Sequence, residues 1–182
     1  FRLGSLRRLP PEDIDRLVRA FDAAGGQAGR PALAGRAPMI HLRLDAAGPV
    51  VVKPYRRGGL LGRVIRHTYL HGRQHRSQME YDWLLRATDM GLTVPVPVAF
   101  AFRGHWFYRC WLVTRAVSGA RTLAQMSLQG PDAAARLLPE LARQMELLVR
   151  HAVWHPDLHP GNVLVDGQQR LFLIDFDKVT RV

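Results

Sequence analysis

Apolar positions recur along this chain with two periods, and the changes of period mark its elements. Residues 10–24 place Ile14, Leu17, Val18 and Phe21 on one helical face. Pro10 and Pro11, then Glu12 and Asp13, supply the chemistry of a helix start. Gly25, Gly26, Gly29 and Gly35, with several prolines, make 25–38 a loop. Ile40, Leu42 and Leu44 alternate and predict a strand over 39–44. Ala46 to Pro49 form a turn, and Val50 to Lys53 a second strand.

Residues 73–90 return to the helical period, with Met79, Glu80, Trp83, Leu84 and Ala87, and Gly91 stops the run. Two strands, 93–102 and 106–115, flank Arg103-Gly104. Over 132–153, Ala134, Leu137, Leu138, Leu141, Met145, Leu148, Val149 and Ala152 fall at helical spacing and predict one long helix. Pro139 either kinks that helix or marks a first turn. Val163 to Val165, the turn Asp166-Gly167 and Arg170 to Ile174 predict a closing hairpin.

Composition bounds this picture without changing it. The 182 residues, 47% apolar, suffice for one domain or two small lobes with a real core. The single cysteine, Cys110, lies in an apolar run between Arg109 and Trp111, reads as a small buried residue, and excludes an intrachain disulfide. Apolar runs such as Val50 to Val52 are far shorter than the roughly 20 residues of a spanning helix. No signal-peptide pattern opens the chain, and the start at Phe1 rather than Met implies that the natural N-terminus is missing. The net charge of +11 favours anionic partners, whether nucleic acid, an anionic membrane surface or a phosphorylated substrate. Much of it sits in Arg56, Arg57, Arg63, Arg66, Arg73 and Arg76, beside His67, His71 and His75. A generally basic surface is the plain alternative.

The chemistry concentrates in His155-Pro156-Asp157-Leu158-His159-Pro160-Gly161-Asn162 and in Asp175-Phe176-Asp177. One strand of the predicted hairpin leaves Asn162 and the other arrives at Asp175, so the hairpin returns both to one end, with Asp157 on the loop just before. Two carboxylates and an amide make an oxygen-donor set suited to Mg²⁺ and substrate phosphates. Asn162 and Asp175 suit the metal, which leaves Asp157 to orient a hydroxyl and take its proton. The order Asp157, Asn162, Asp175 is that of a kinase catalytic loop and metal hairpin. Lys53, ending its strand, and Glu80, on the next helix, supply the phosphate-positioning pair that such an enzyme needs.

Plainer readings exist for each residue. Asp157 would also suit an Asx turn. Lys53 and Glu80 would also suit a solvated strand end and an exposed helix. The alternation of His155, Asp157 and His159 would suit a transition metal. The ordered set favours the kinase layout over all of these. His155 then reads as a residue that packs and hydrogen-bonds the loop, and Asp177 as a loop cap in preference to a second metal ligand.

Lys53-Pro54-Tyr55-Arg56-Arg57-Gly58-Gly59-Leu60, Gly91 to Pro97, Phe107-Tyr108-Arg109 and Ile174-Asp175-Phe176-Asp177-Lys178 carry a more specific resemblance. With the Asp157 loop, they resemble the 3-deoxy-D-manno-octulosonic acid (Kdo) kinases of the lipopolysaccharide-kinase family of Gram-negative bacteria. The resemblance covers roughly Gly35 to Lys178. It implies an α+β, protein-kinase-like, two-lobed fold. The small antiparallel N-lobe would span about 1–114, the hinge about 114–118, and a mostly helical, C-terminally truncated lobe about 119–182. It implies ATP and Mg²⁺ as cofactors, and transfer of phosphate to the 4-hydroxyl of Kdo on a lipid A precursor. By the matching motifs, Asp157 would be the base, Asn162 and Asp175 the metal ligands, and Lys53 with Glu80 the phosphate-positioning pair. The backbone of Thr114, Arg115 and Ala116 would meet the adenine. Arg56 and Arg57 would meet acidic substrate or lipid headgroups. The protein would be peripheral, on the cytoplasmic face of the inner membrane, with no nucleic-acid partner.

Two departures qualify the resemblance. The Gly-x-Gly-x-x-Gly phosphate loop is absent, with Gly35-Arg36 as a reduced substitute. Asp177 stands where protein kinases place Gly, which argues for a constitutive small-molecule kinase. Other phosphotransferases acting on a heptose, an aminoglycoside or a protein Ser/Thr fit the same three residues. A catalytically dead, membrane-binding kinase-like module and a nucleic-acid-binding domain are the rivals from other classes.

Overall fold

In the computed structural model, the structure describes residues 1–26, 39–55, 69–70, 75–104 and 107–182. The chain folds as two compact units, residues 1–81 with 97–116, and residues 82–96 with 117–182. Residues 82–96, which the sequence reading places with the N-lobe, thus pack with the second unit.

The first unit is built on an antiparallel sheet. Its elements are β1 (Arg2–Gly4), α1 (Pro11–Gly26), β2 (Ile40–Leu44), β3 (Gly48–Pro54), β4 (Tyr69–Leu70), the first part of α2 (Arg76–Asp89), β5 (Pro97–Arg103) and β6 (Phe107–Arg115). The strand order is β1-β5-β6-β3-β2, with β4 also paired to β6. Alternation decides what each face carries. In β3, Val50 and Val52 are fully buried in a cluster with Leu17 and Phe21 of α1, Leu44, Ala99, Ala101, Trp111 and Val113. Burying Phe21 or Leu17 there contributes about 1.5–3 kcal/mol each. Lys53, one step out of phase with Val52, therefore projects from the opposite face.

The β2–β3 turn is held by a buried carboxylate. Asp13 accepts the amides of Asp45 at 2.8 Å and Ala46 at 2.9 Å, and Gly48 adopts φ 73° to complete the turn. That acid reads from sequence as a helix-start residue; its side chain instead ties α1 to the hairpin.

The second unit holds the rest of α2, β7 (Arg121–Thr122), α3 (Leu123–Gln129), α4 (Pro131–Ala135), α5 (Leu138–Arg150), β8 (Val153–Trp154), β9 (Val163–Val165), β10 (Leu171–Leu173) and β11 (Thr180–Arg181), with single 3₁₀ turns at Pro160–Asn162 and Phe176–Lys178. The predicted helix over 132–153 is two helices, and Pro139 is the reason. Its ring would clash with the carbonyl four residues back, at Ala135, where α4 ends. Pro139 sits in the first turn of α5, where no amide is needed. The end near 153 is also corrected: α5 stops at Arg150, and Ala152 turns the chain with φ 51°.

The predicted apolar face of that helix is corrected as well. Leu138, Met145 and Val149 are 57%, 48% and 79% exposed, while Gln144 is fully buried. Gln144 accepts the amide of Thr93 at 2.9 Å and donates to the Thr93 hydroxyl at 3.0 Å and to Glu140 at 2.8 Å. The Thr93 carbonyl accepts the amide of Leu173 at 2.9 Å. A buried polar side chain thereby fixes the strand that leads to Asp175.

Candidate active site

The loop after β8 is shaped by short-range hydrogen bonds that hold three predicted residues together. β9 and β10 pair antiparallel with Val163 opposite Leu173, and the amide of Ile174 donates to the Asn162 carbonyl at 3.0 Å. Asn162 and Asp175 therefore lie at the same end of the hairpin. The far end is closed by Asp166, whose carboxylate accepts the amides of Gln168 at 2.8 Å and Arg170 at 2.9 Å.

Asn162, 3% exposed, donates through Nδ2 to the backbone carbonyl of Asp157 at 2.9 Å. This bond fixes the loop from inside and orients the amide by its nitrogen. His155 is buried, and its Nε2 lies 3.1 Å from the Ile174 carbonyl, with its ring edge-on to Phe176 at 5.0 Å. A carbonyl only accepts, so Nε2 carries the proton. Burial holds the imidazole pKa below its ordinary value, against the pull of the Ile174 carbonyl and of Asp175 and Asp157. His155 thus ties the 155–162 loop to the end of β10.

Asp175 adopts a left-handed conformation, φ 71° and ψ 56°. The backbone turns sharply there into the 176–178 turn, seated by the fully buried Phe176. One carboxylate oxygen each of Asp157, Asp175 and Asp177 lies within 4.8 Å of the others. Asp177, which reads from the sequence as a loop cap or a second metal ligand, has its carboxylate in this cluster. Asp157 also pairs with Lys178, Nζ to Oδ2 at 2.7 Å. Sequence reasoning assigned no role to Lys178.

In the first unit, Lys53 and Glu80 form the expected pair. Nζ lies 3.0 Å from Oε1 and 2.8 Å from Oε2 of a carboxylate that is 2% exposed. The Tyr55 hydroxyl donates to the same Oε2, and Lys53 Nζ stands 5.0 Å from the centroid of the Tyr55 ring. Tyr55 therefore touches both members of the pair. It was legible only as part of the motif after Lys53.

Thr114 and Arg115 lie in the β6 ladder opposite Val51 and Val50, and the amide of Ala116 donates to the Pro49 carbonyl at 2.9 Å. Arg56, Arg57 and Gly35-Arg36 lie outside the described residues.

Residues 42–182 match the model of the lipopolysaccharide kinase (Kdo/WaaP) family. The chain belongs to that family. Similar family members include the 3-deoxy-D-manno-octulosonic acid kinase of Vibrio vulnificus, 32% identical over 130 residues, which covers 70% of this chain and 55% of that protein. The enzyme of the same description from Xylella fastidiosa is 30% identical over 134 residues, covering 72% of this chain and 53% of that protein. The chain therefore spans about half the length of these relatives. Among solved structures, WaaP in complex with acyl carrier protein matches with a TM-score of 0.60 at 20% identity, covering all of this chain and 73% of that one. The family's α+β, protein-kinase-like fold is the one found here.

Proposed function

We propose that this chain carries the catalytic machinery of an ATP-dependent kinase that phosphorylates the 4-hydroxyl of Kdo on a lipid A precursor. The observation that carries the reading is the Asp157–Asn162–Asp175 arrangement, in a chain whose relatives bear the description 3-deoxy-D-manno-octulosonic acid kinase. Asp157 accepts the proton of the sugar hydroxyl as its oxygen attacks the terminal phosphorus of ATP. The bond from that phosphorus to the bridging oxygen breaks, and ADP leaves. Asn162 holds the loop that carries the base. Lys53, fixed by Glu80 and Tyr55, neutralises and positions nucleotide phosphates.

A magnesium ion fits the donor set, because three carboxylates converge within 4.8 Å and hard oxygen ligands suit it. Asn162 and Asp175 would hold it, with Asp177 a further candidate. When bound, it supplies charge neutralisation at the phosphates. The net charge of +11 supports a peripheral place on the anionic cytoplasmic face of the inner membrane, next to a phosphorylated glycolipid. No helix among the described residues is long and apolar enough to cross a membrane.

The test is product analysis. The full-length protein is incubated with ATP, Mg²⁺ and Kdo-lipid IVA, and the phosphate is located by phosphorus–proton correlation spectroscopy. Phosphate on the C4 oxygen of Kdo is expected. Phosphate on another sugar position, or transfer only to a heptose, an aminoglycoside or a protein, would overturn the acceptor assignment.

A further inference from the structure

Asp157 faces a problem that the reaction has to solve. The proposed acceptor is a sugar acid, so its carboxylate approaches a cluster that already holds the carboxylates of Asp157, Asp175 and Asp177. Like charges at such separations repel, so a cation beside the base is well placed to receive a further carboxylate. Lys178 stands in contact with the base itself.

The fold places it there deliberately. β11 pairs with β8 so that Thr180 lies opposite Trp154 and Arg181 opposite Val153. Lys178 precedes this ribbon by two residues and Asp157 follows it by three, so both chains emerge from the same end. On either side of Lys178, buried Phe176 and Val179 hold the backbone, with the Val179 amide donating to the Phe176 carbonyl at 3.3 Å. The lysine is therefore aimed by its backbone.

The pair is also exchangeable. The Lys178 side chain is 58% exposed and that of Asp157 36%, and an ion pair so open to water is held weakly. An incoming carboxylate therefore competes with Asp157 for the Lys178 ammonium. A neutral sugar makes no such contact.

We infer that Lys178 is a specificity residue that receives the acceptor's carboxylate beside Asp157. The inference rests on the proposed acceptor and base, and adds the part of the substrate that Lys178 reads.

Its test compares two acceptors, Kdo-lipid IVA and its carboxyl methyl ester, with full-length wild type, Lys178→Ala and Lys178→Arg. With wild type, esterification should lower kcat/KM for the acceptor by about ten- to hundredfold, the loss of one charge-assisted contact. Lys178→Ala should show a similar loss on the acid and no further loss on the ester, with KM for ATP unmoved. Lys178→Arg should recover most of the activity on the acid. Equal losses by Lys178→Ala on both acceptors, or a wild type indifferent to esterification, would overturn the inference. No transfer by wild type to either acceptor would overturn the acceptor assignment, and the inference with it.

Discussion

Replacing Tyr55 by Phe isolates a single hydroxyl in the Lys53–Glu80–Tyr55 cluster, the proposed phosphate-positioning apparatus. Glu80 is almost fully buried, and its Oε2 is shared by Lys53 at 2.8 Å and the Tyr55 hydroxyl. A hydrogen bond to a buried carboxylate contributes about 1.5–3 kcal/mol. The ring remains in the variant, so the packing of this 5% exposed side chain and its contact with the Lys53 ammonium are retained. Both Lys53–Glu80 contacts also remain, which keeps Oε2 from losing every donor. Together these place the expected destabilisation at about 2 kcal/mol, measured by urea unfolding with linear extrapolation. The same change loosens the orientation of Lys53, so kcat/KM for ATP should fall by about tenfold, and Glu80→Gln should cost more. If Tyr55→Phe stays within about 0.5 kcal/mol of wild type and keeps its kcat/KM, the hydroxyl does not hold the pair and the reasoning fails.

Two further outcomes follow from buried groups. Cys110 is 1% exposed, and burial pushes its thiol pKa up to about 11, so a thiol reagent at pH 7.5 should modify it only after denaturation; rapid labelling of the native protein would contradict its placement. His155 has a folded-state pKa below its unfolded value near 6.5, so the unfolded chain binds the extra proton first and stability, full above that pH, drains away as pH falls through the folded pKa. The variant His155→Gln keeps a donor for the Ile174 carbonyl and removes the titration, so its melting temperature should fall less than wild type's between pH 7 and pH 5; an equal fall in both would place the effect elsewhere.

What could be read from the sequence was mostly local. Asn162 and Asp175 meet because a short hairpin leaves no other choice, and the register Val163 opposite Leu173 is the one its turn imposes. Lys53 was legible because it ends the short apolar run Val50 to Val52. Its partner Glu80 followed from helical spacing on the next element. Helix α3 was missed although Thr122 and Gln125 form a capping box, Thr122 Oγ1 accepting the Gln125 amide at 3.1 Å and Gln125 Oε1 accepting the Thr122 amide at 2.9 Å. That signal was present in the sequence and unread.

Other features depend on partners far along the chain, where pattern carries little information. Gln144 occupies a buried position that periodicity reserves for an apolar side chain, because Thr93 supplies hydrogen bonds for it. Leu138, Met145 and Val149 continue an apolar rhythm on an exposed face. Lys178 reaches Asp157 only because two-residue strands, 153–154 and 180–181, pair with each other. No composition signal marks strands so short. Tyr55 stood in the motif after Lys53, but its role appears only once its hydroxyl is seen on Glu80.

The central claim is that Asp157 is the base of a phosphoryl transfer to Kdo. Phosphate transfer from labelled ATP to Kdo-lipid IVA, with Mg²⁺, by the full-length protein beside its Asp157→Ala variant tests it most directly. Transfer by wild type is expected, with a fall of about 10²-fold or more in kcat in the variant and ATP still bound. Transfer by Asp157→Ala at a rate near that of wild type would contradict it.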